Sequence, residues 1–177
     1  MANSAPIRAA RSTDAATLTE FARKTYTQAF GNTFRPSDLS SHLDRHLSLA
    51  KVVRILGEDV VLLAEADAAI IGYVQFGEAR SSTGVDVSGA QELRRLYVDA
   101  AFQDRGVGAA LMDAALEHPR LRNAARIYLE VWEHNLRAQK FYVRYGFKVI
   151  GTRAFAVESG PEAGVEFLMV RQDSRKD

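Results

Sequence analysis

The stretch Leu96-Tyr97-Val98-Asp99-Ala100-Ala101-Phe102-Gln103-Asp104-Arg105-Gly106-Val107-Gly108-Ala109-Ala110-Leu111 leaves a chain few ways to fold. An apolar strand ends near Val98, a short turn with two glycines follows, and an Ala- and Leu-rich helix begins. The first N–H groups of a helix have no partner within it and lie at the positive end of its dipole, so such a junction is a ready anion site. Glycine lets a phosphate come close to the backbone. Two phosphate-binding readings fail on particular residues. A nucleoside-triphosphate loop needs Gly-Lys-Ser/Thr, which is missing, and the dinucleotide fingerprint needs a third small residue where this chain has Leu111. An ordinary strand-to-helix turn is the bland alternative.

A chain of 177 residues fits one domain, taken as 1–177, with a substantial core. Hydrophobic residues make up 47% and charged residues 25%, a balance that predicts a folded globular protein rather than a disordered one. With a formal net charge of +1 and scattered Lys and Arg, nucleic acid is not an expected partner. Apolar runs such as Val60-Ala64 are far shorter than the roughly 20 residues a membrane helix needs. Met1-Ile7 carries no signal-peptide core, so a soluble cytoplasmic protein is expected. The absence of cysteine excludes disulfides, thiolate metal sites and an acyl-cysteine intermediate.

Along the chain, Ile7-Ala10 reads as a strand that ends at the helix-capping cluster Ser12-Thr13-Asp14. Leu18, Phe21, Ala22, Tyr26 and Ala29 recur at helical spacing from Ala15 to Phe30. A second helix is expected from about Ser37-Asp38, carrying Leu39, Leu43, Leu47 and running toward Val52-Val53. Val60-Glu65 and Ala69-Phe76, separated by Asp67-Ala68, read as a hairpin, and Ser81-Ala90 as a mobile loop. Then follow a strand at Glu92-Val98, a helix at Gly106-His118, a strand at Arg126-Val131, a helix at Asn135-Tyr145, and strands at Lys148-Phe155 and Glu166-Val170. The order is β-α-α-β-β-β-α-β-α-β-β, a mixed α/β sheet.

Gln103, Gly106 and Gly108 fill the defined positions of Gln/Arg-x-x-Gly-x-Gly/Ala after a strand. Downstream, Asn135, Ala138, Phe141, Tyr142, Gly146 and Phe147 resemble the block Asn-x-x-Ala-x-x-Phe-Tyr-x-x-x-Gly-Phe. Two motifs in this order, inside this element order, resemble the GNAT superfamily of N-acetyltransferases over nearly the whole chain. The resemblance implies a mixed, mostly antiparallel central sheet of about seven strands with helices on both faces. It also implies acetyl-CoA as cosubstrate, no metal cofactor, and an amine of a small molecule or peptide as acceptor, with a homodimer kept open. It places the pyrophosphate on the turn of Gln103, Asp104, Arg105, Gly106, Val107 and Gly108, with Ala109 following. Unpaired backbone of Leu96, Tyr97 and Val98 would take the pantetheine and the thioester carbonyl, and Asn135, Ala138, Phe141 and Tyr142 would line the same cofactor.

The residues also have readings of their own. Asn135 stands where a helix begins and can cap it, Ala138, Phe141 and Tyr142 share one helical face suited to packing, and Gly146 suits a helix end. Acetyl transfer needs a neutral amine, a stabilised oxyanion and a protonated leaving thiol. The resemblance puts the Tyr142 hydroxyl near the sulfur, where it can protonate the departing coenzyme A thiolate. Alkyl amines are mostly charged at neutral pH, so a proton acceptor is required. Glu92, near the start of its strand, is the candidate base, directly or through water, and a surface carboxylate is its bland reading. Without cysteine, transfer is expected to be direct, within a ternary complex.

His42 and His46 lie four apart on a helix, within reach of one metal, but no Glu follows His42 as in zinc proteases. Arg94-Arg95 reads either as a solvated strand edge or as a phosphate contact, with Arg105 the better placed. Trp132 reads as core or as acceptor-site lining. Thr25-Phe30, Ser37-Leu39, Glu92-Val98 and Val131-Asn135 look like the PaiA-type polyamine branch, which implies spermidine or spermine. Gly164-Val165-Glu166 departs from that branch where a Gln-x-Asp-like group is expected. The alternative class is a non-catalytic acyl-CoA-binding sensor or interaction module.

Overall fold

In the computed structural model, which describes residues 5–80, 85–155 and 164–172, the chain alternates helices and strands. In order these are β1 (Ile7–Ala9), α1 (Ala15–Phe30), α2 (Pro36–His46), α3 (Leu49–Glu58), β2 (Val60–Ala66), β3 (Ala69–Glu78) and β4 (Gln91–Val98). Then come α4 (Val107–Glu117), α5 (Pro119–Arg122), β5 (Arg126–Trp132), α6 (Leu136–Arg144), β6 (Lys148–Phe155) and β7 (Gly164–Gln172). The strands form one mixed sheet in the order β1-β2-β3-β4-β5-β7-β6. β4 pairs with β5 in parallel, and the β1–β2, β2–β3, β5–β7 and β6–β7 pairs are antiparallel, which matches the mixed, mostly antiparallel sheet of about seven strands that the resemblance implied. The chain condenses into two compact units, one of Met1–Phe76 with Arg95–His118, the other of Gly77–Arg94 with Pro119–Asp177.

In the first unit, the apolar stripes of α1, α2 and α3 close over β2 and β3. Leu18, Phe21 and Ala22 of α1, Leu43 and Leu47, Val52 and Ile55 of α3, and Val61, Leu63 and Tyr73 make one buried cluster. The β2–β3 hairpin turns on Asp67 and Ala68, both at positive φ, the geometry that a two-residue hairpin requires. One expected helix is two. Leu39, Leu43 and Leu47 recur every four residues, but the next position of the series is Lys51 and the next buried apolar residue is Val52, so a straight helix would carry the stripe off the core. The chain breaks instead: Leu47 leaves helical backbone and Ser48 is extended before α3 starts.

The second unit holds the β6–β7 hairpin and β5 against α6. Ile127, Leu129, Phe147 and Met169 are fully buried in it. Tyr128, Leu168, Val170 and Ala90 form a smaller cluster that also takes in Ala79, Val85 and Val87. The expected Ser81-Ala90 loop is therefore anchored at its C-terminal end by apolar contacts, and by Arg126 to Asp86 at 3.1 Å, while residues 81–84 lie outside the described ones. The short helix α5 has no periodic pattern to announce it, only Pro119 at its first position and the buried Leu121. Among the described residues no helix is long and apolar enough to cross a membrane.

The missing side chain of Gly72 lets α4 pack closely in the first unit. A Cβ built on Gly72 of β3 would stand 2.9 Å from Leu111 Cδ1, 3.1 Å from the Tyr97 carbonyl oxygen and 3.3 Å from Val107 Cγ1. Gly72→Ala is therefore expected to destabilise the fold by about 1–3 kcal/mol, lowering the melting midpoint by roughly 3–10 °C in a thermal scan.

Candidate functional site

In the first unit, β4 hands over to α4 through a short 3₁₀ turn at Ala100–Phe102. Asp99 holds the handover. Its backbone N–H donates to the Ile71 carbonyl at 3.0 Å, its Oδ1 accepts from the Ala101 N–H at 3.1 Å, and its Oδ2 accepts from Lys24 Nζ at 2.6 Å. Lys24 and the Ala101 amide hold its carboxyl below the ordinary range. Gln103 Nε2 donates to the Val98 carbonyl at 3.2 Å, so Gln103 ties the turn to the end of β4. Asp104 (φ 60°) and Gly106 (φ 82°) then adopt left-handed backbone, and α4 begins. The Gly106 carbonyl accepts the first helical bond, from Ala110, and no side chain caps the helix. The N–H groups of Val107 and Gly108 therefore have no partner along α4.

Gln103, Asp104, Arg105 and Gly106 are exposed, and Val107 alone of the turn is buried. A Cβ on Gly106 would meet nothing within 4 Å, so there is open space over the backbone at this point. Arg105 lies over the Phe102 ring at 5.6 Å, which keeps a cation beside the turn. A diphosphate fits such a place: first-turn amides without a partner along the helix, a helix dipole and a guanidinium. Leu96, Tyr97 and Val98 of β4 are half-buried. The adjacent cations are otherwise engaged. Arg95 donates to Gln75 Oε1 at 2.7 Å within the first unit, and Arg94, in the second, donates to the Glu78 carbonyl at 2.6 Å. Each guanidinium is thus tied to its own unit rather than standing as a freely solvated strand edge.

In the second unit, Asn135 Oδ1 accepts from the Ala138 N–H at 3.1 Å and caps α6, the bland role foreseen for it. Gln139 Nε2 donates to the Trp132 and Glu133 carbonyls and fixes the approach to the helix. Ala138 and Phe141 are half-buried, and Tyr142 is buried against Phe141 and Phe147 at ring distances of 5.6 and 5.9 Å. Burial pushes the Tyr142 phenol up to about 12, so it keeps its proton at any physiological pH. Gly146, at φ 83°, ends the helix.

Glu92 sits in the same unit, opposite Tyr128 in the parallel register of β4 with β5. Its Oε2 is buried without a hydrogen-bond partner, 3.7 Å from Arg94 Nη2. Burial raises its pKa, Glu130 adds to that, and Arg94 and Arg80 oppose it. Sequence reading missed what lies around it. Arg153 and Glu166 face each other across β6 and β7, and Arg153 Nη1 donates to Glu130 Oε1 at 2.9 Å. Burial, then the Glu130 charge, pushes the Glu166 carboxyl up to about 7, with Arg153 opposing. One signal was legible: Tyr128, Glu130 and Trp132 alternate onto one face of β5, and a glutamate inside an otherwise apolar run asks for partners. Trp132 is half-buried, edge-on to His134 at 4.9 Å. Among the described residues no group of three or more His, Asp or Glu side chains is arranged to hold a metal.

The model of the Acetyltransferase (GNAT) family matches residues 19–147. The chain is 34% identical, over 90% of its length and 98% of the relative's, to an uncharacterized N-acetyltransferase of Mycobacterium tuberculosis. It is 29% identical to the spermine/spermidine N(1)-acetyltransferase of Bacillus subtilis, over 49% of this chain and 57% of that one. Its fold is similar to the crystal structure of the PaiA N-acetyltransferase from Thermoplasma acidophilum in complex with coenzyme A. That likeness has a TM-score of 0.77 at 22% identity and covers 96% and 99% of the two chains.

The raised pKa of Glu166 carries a stability consequence. The native carboxyl holds its proton up to about pH 7, whereas an unfolded glutamate loses it near 4.5. Between those values the native state binds more protons, so stability falls as pH rises through the window. Solvent screening of this half-buried group reduces the effect to about 1 kcal/mol. Glu166→Gln is expected to melt close to the parent at pH 4.5 and about 2–4 °C above it at pH 8, measured by scanning calorimetry.

Proposed function

The chain belongs to the GNAT acetyltransferase family, and from that premise we propose that it moves the acetyl group of acetyl-CoA directly to a primary amine of a small molecule or peptide. Residues 1–177 act as one N-acetyltransferase domain in this reading. The observation that carries it is the exposed turn at the start of α4, where left-handed Asp104 and Gly106 present the Val107 and Gly108 amides. Gln103, Arg105 and Ala109 complete the diphosphate cradle, and Leu96, Tyr97, Val98, Asn135, Ala138 and Phe141 serve the pantetheine arm.

The chemistry is an addition and an elimination. Glu92 accepts the proton of the ammonium, directly or through one water, and frees the nitrogen lone pair. The nitrogen attacks the thioester carbonyl, a C–N bond forms, the nitrogen loses its second proton to water, and the oxyanion is held by backbone N–H groups of β4. As the oxyanion collapses, the C–S bond breaks and the Tyr142 hydroxyl donates to the departing thiolate. A buried carboxylate with a raised pKa suits the first step, because its proton affinity moves toward that needed at neutral pH. Spermidine and spermine belong in the acceptor panel because the Bacillus subtilis relative, similar over about half of this chain, bears their names.

Thiol release from acetyl-CoA in the presence of amines tests the assignment. Glu92→Gln is expected to lower kcat/KM by about 10²–10⁴ while coenzyme A still binds. Tyr142→Phe should lower kcat with little change in the KM for acetyl-CoA. Coenzyme A binding with no thiol release on any amine would favour the sensor alternative. A substitution at Gly106 reads the cradle itself: Gly106→Val forces a branched side chain into φ 82° and should weaken coenzyme A binding about tenfold or more in calorimetric titration.

A further inference from the structure

Six partly exposed rings from four segments of the first unit gather into one wall. Tyr26 of α1 is its centre. It stacks on His42 of α2 at 4.6 Å with the planes 13° apart, and it meets Phe30 at 4.8 Å, Tyr97 of β4 at 6.4 Å and Phe34, between α1 and α2, at 6.5 Å. His46 extends the wall from His42 at 4.5 Å, and Phe34 reaches His42 at 6.1 Å. On the interior side, Tyr97 stacks on Tyr73 at 5.8 Å. Tyr73 is only 3% exposed and its hydroxyl has no hydrogen-bond partner, which is costly inside a fold and recurs where a ligand supplies the missing partner.

Six rings gathered at the surface, each partly exposed, form an apolar patch of the kind that marks a recognition surface. The charges nearby say what it recognises. Asp44 is taken by Arg23 at 3.0 Å and Asp99 by Lys24 at 2.6 Å, so these two carboxylates are already matched to cations. Two of the six rings are imidazoles, which become cations on protonation. A surface built in this way suits a flat or apolar body better than the second ammonium of a linear polyamine. Tyr97 belongs to the β4 stretch assigned above to the thioester, so an acceptor resting on the wall meets the acetyl donor along the same residue.

We propose that the wall of Tyr26, Phe30, Phe34, His42, His46 and Tyr97 receives the body of the acceptor, and that the enzyme prefers primary amines bearing an aromatic ring over linear polyamines. The proposal rests on the acetyl-transfer reading for the amine's reaction, but not for its binding.

The test therefore pairs turnover with binding, on the full chain. Thiol release is measured with phenethylamine, tryptamine, hexylamine, spermidine and spermine, and binding of phenethylamine to the coenzyme A complex is followed by calorimetry. Phenethylamine or tryptamine should exceed spermidine in kcat/KM at least tenfold. Tyr26→Leu should raise the KM for these amines tenfold or more, chiefly through KM, while Tyr26→Phe restores the parent preference. Phe34→Leu, at a separate point of the wall, should act in the same direction. Ring-dependent binding without turnover of any amine would support the wall and sink the transfer reading. Efficient turnover of spermidine, with phenethylamine neither bound nor acetylated, would overturn the wall and leave transfer standing. An arylamine preference unaffected by Tyr26→Leu and Phe34→Leu would also overturn it.

Discussion

The start of α4 depends on two residues holding left-handed backbone, Asp104 at φ 60° and Gly106 at φ 82°. For an L-residue this conformation costs roughly 1–2 kcal/mol, which Asp tolerates better than most and Gly avoids altogether. With the chain bent there, α4 starts with its amides turned outward. Packing then fixes the helix in place. Val107, Leu111, Met112 and Ala115 are buried, and Gly72 gives up its side chain so that Leu111 and the Tyr97 carbonyl can approach. A binding site made of main-chain donors needs this kind of rigidity, since its geometry is only as definite as the backbone that carries it.

The second unit shows the opposite economy, charge held where apolar residues would be simpler. Glu92, Glu130, Glu166 and Arg94 lie together on β4 to β7 with the exposed Arg153 at their edge, and withdrawing charges from water costs more than pairing them returns unless every lone pair is met. The Glu92 Oε2 atom is not met. A fold selected for stability alone would fill this face with residues like Leu168 and Val170, which do occupy its other end. A group kept in such surroundings has its proton affinity raised, and that property is useful to a base that must pick up a proton near neutrality.

Much of this was legible in the sequence because the strong signals are local. The glycine turn, the helix from Ala15 to Phe30, the Asp67-Ala68 hairpin and the Asn135 cap each depend on neighbours in the chain, and the structure has them all. What escaped depends on pairing between distant segments. That Arg153 faces Glu166, and that Glu130 bonds Arg153, follows from β7 lying between β5 and β6, a choice no local spacing announces. The aromatic wall escaped for the same reason, since Tyr26, His42 and Tyr97 belong to three elements. The helix break at Leu47 was legible in principle. The stripe from Leu39 to Leu47 fails to continue at Lys51, and one dropped position is enough to turn a helix away from its core.

In the proposed reaction, what Tyr142 can do for the leaving thiolate follows from comparing acidities. A free thiol has an ordinary pKa of about 8.5, and burial holds the Tyr142 phenol near 12. Complete transfer of the phenolic proton to a thiolate therefore runs uphill, and a mechanism in which tyrosinate accumulates is disfavoured. A hydrogen bond is different. It is always available, because the hydroxyl never ionises in the working range, and it strengthens as charge builds on the sulfur during C–S cleavage. The same burial that makes Tyr142 a poor acid makes it a constant donor. In the proposed transfer the nitrogen gives up two protons, one to Glu92 before attack and one to water after the C–N bond forms; one of them reaches the thiolate through solvent and the other is released, so the reaction balances without either side chain being consumed.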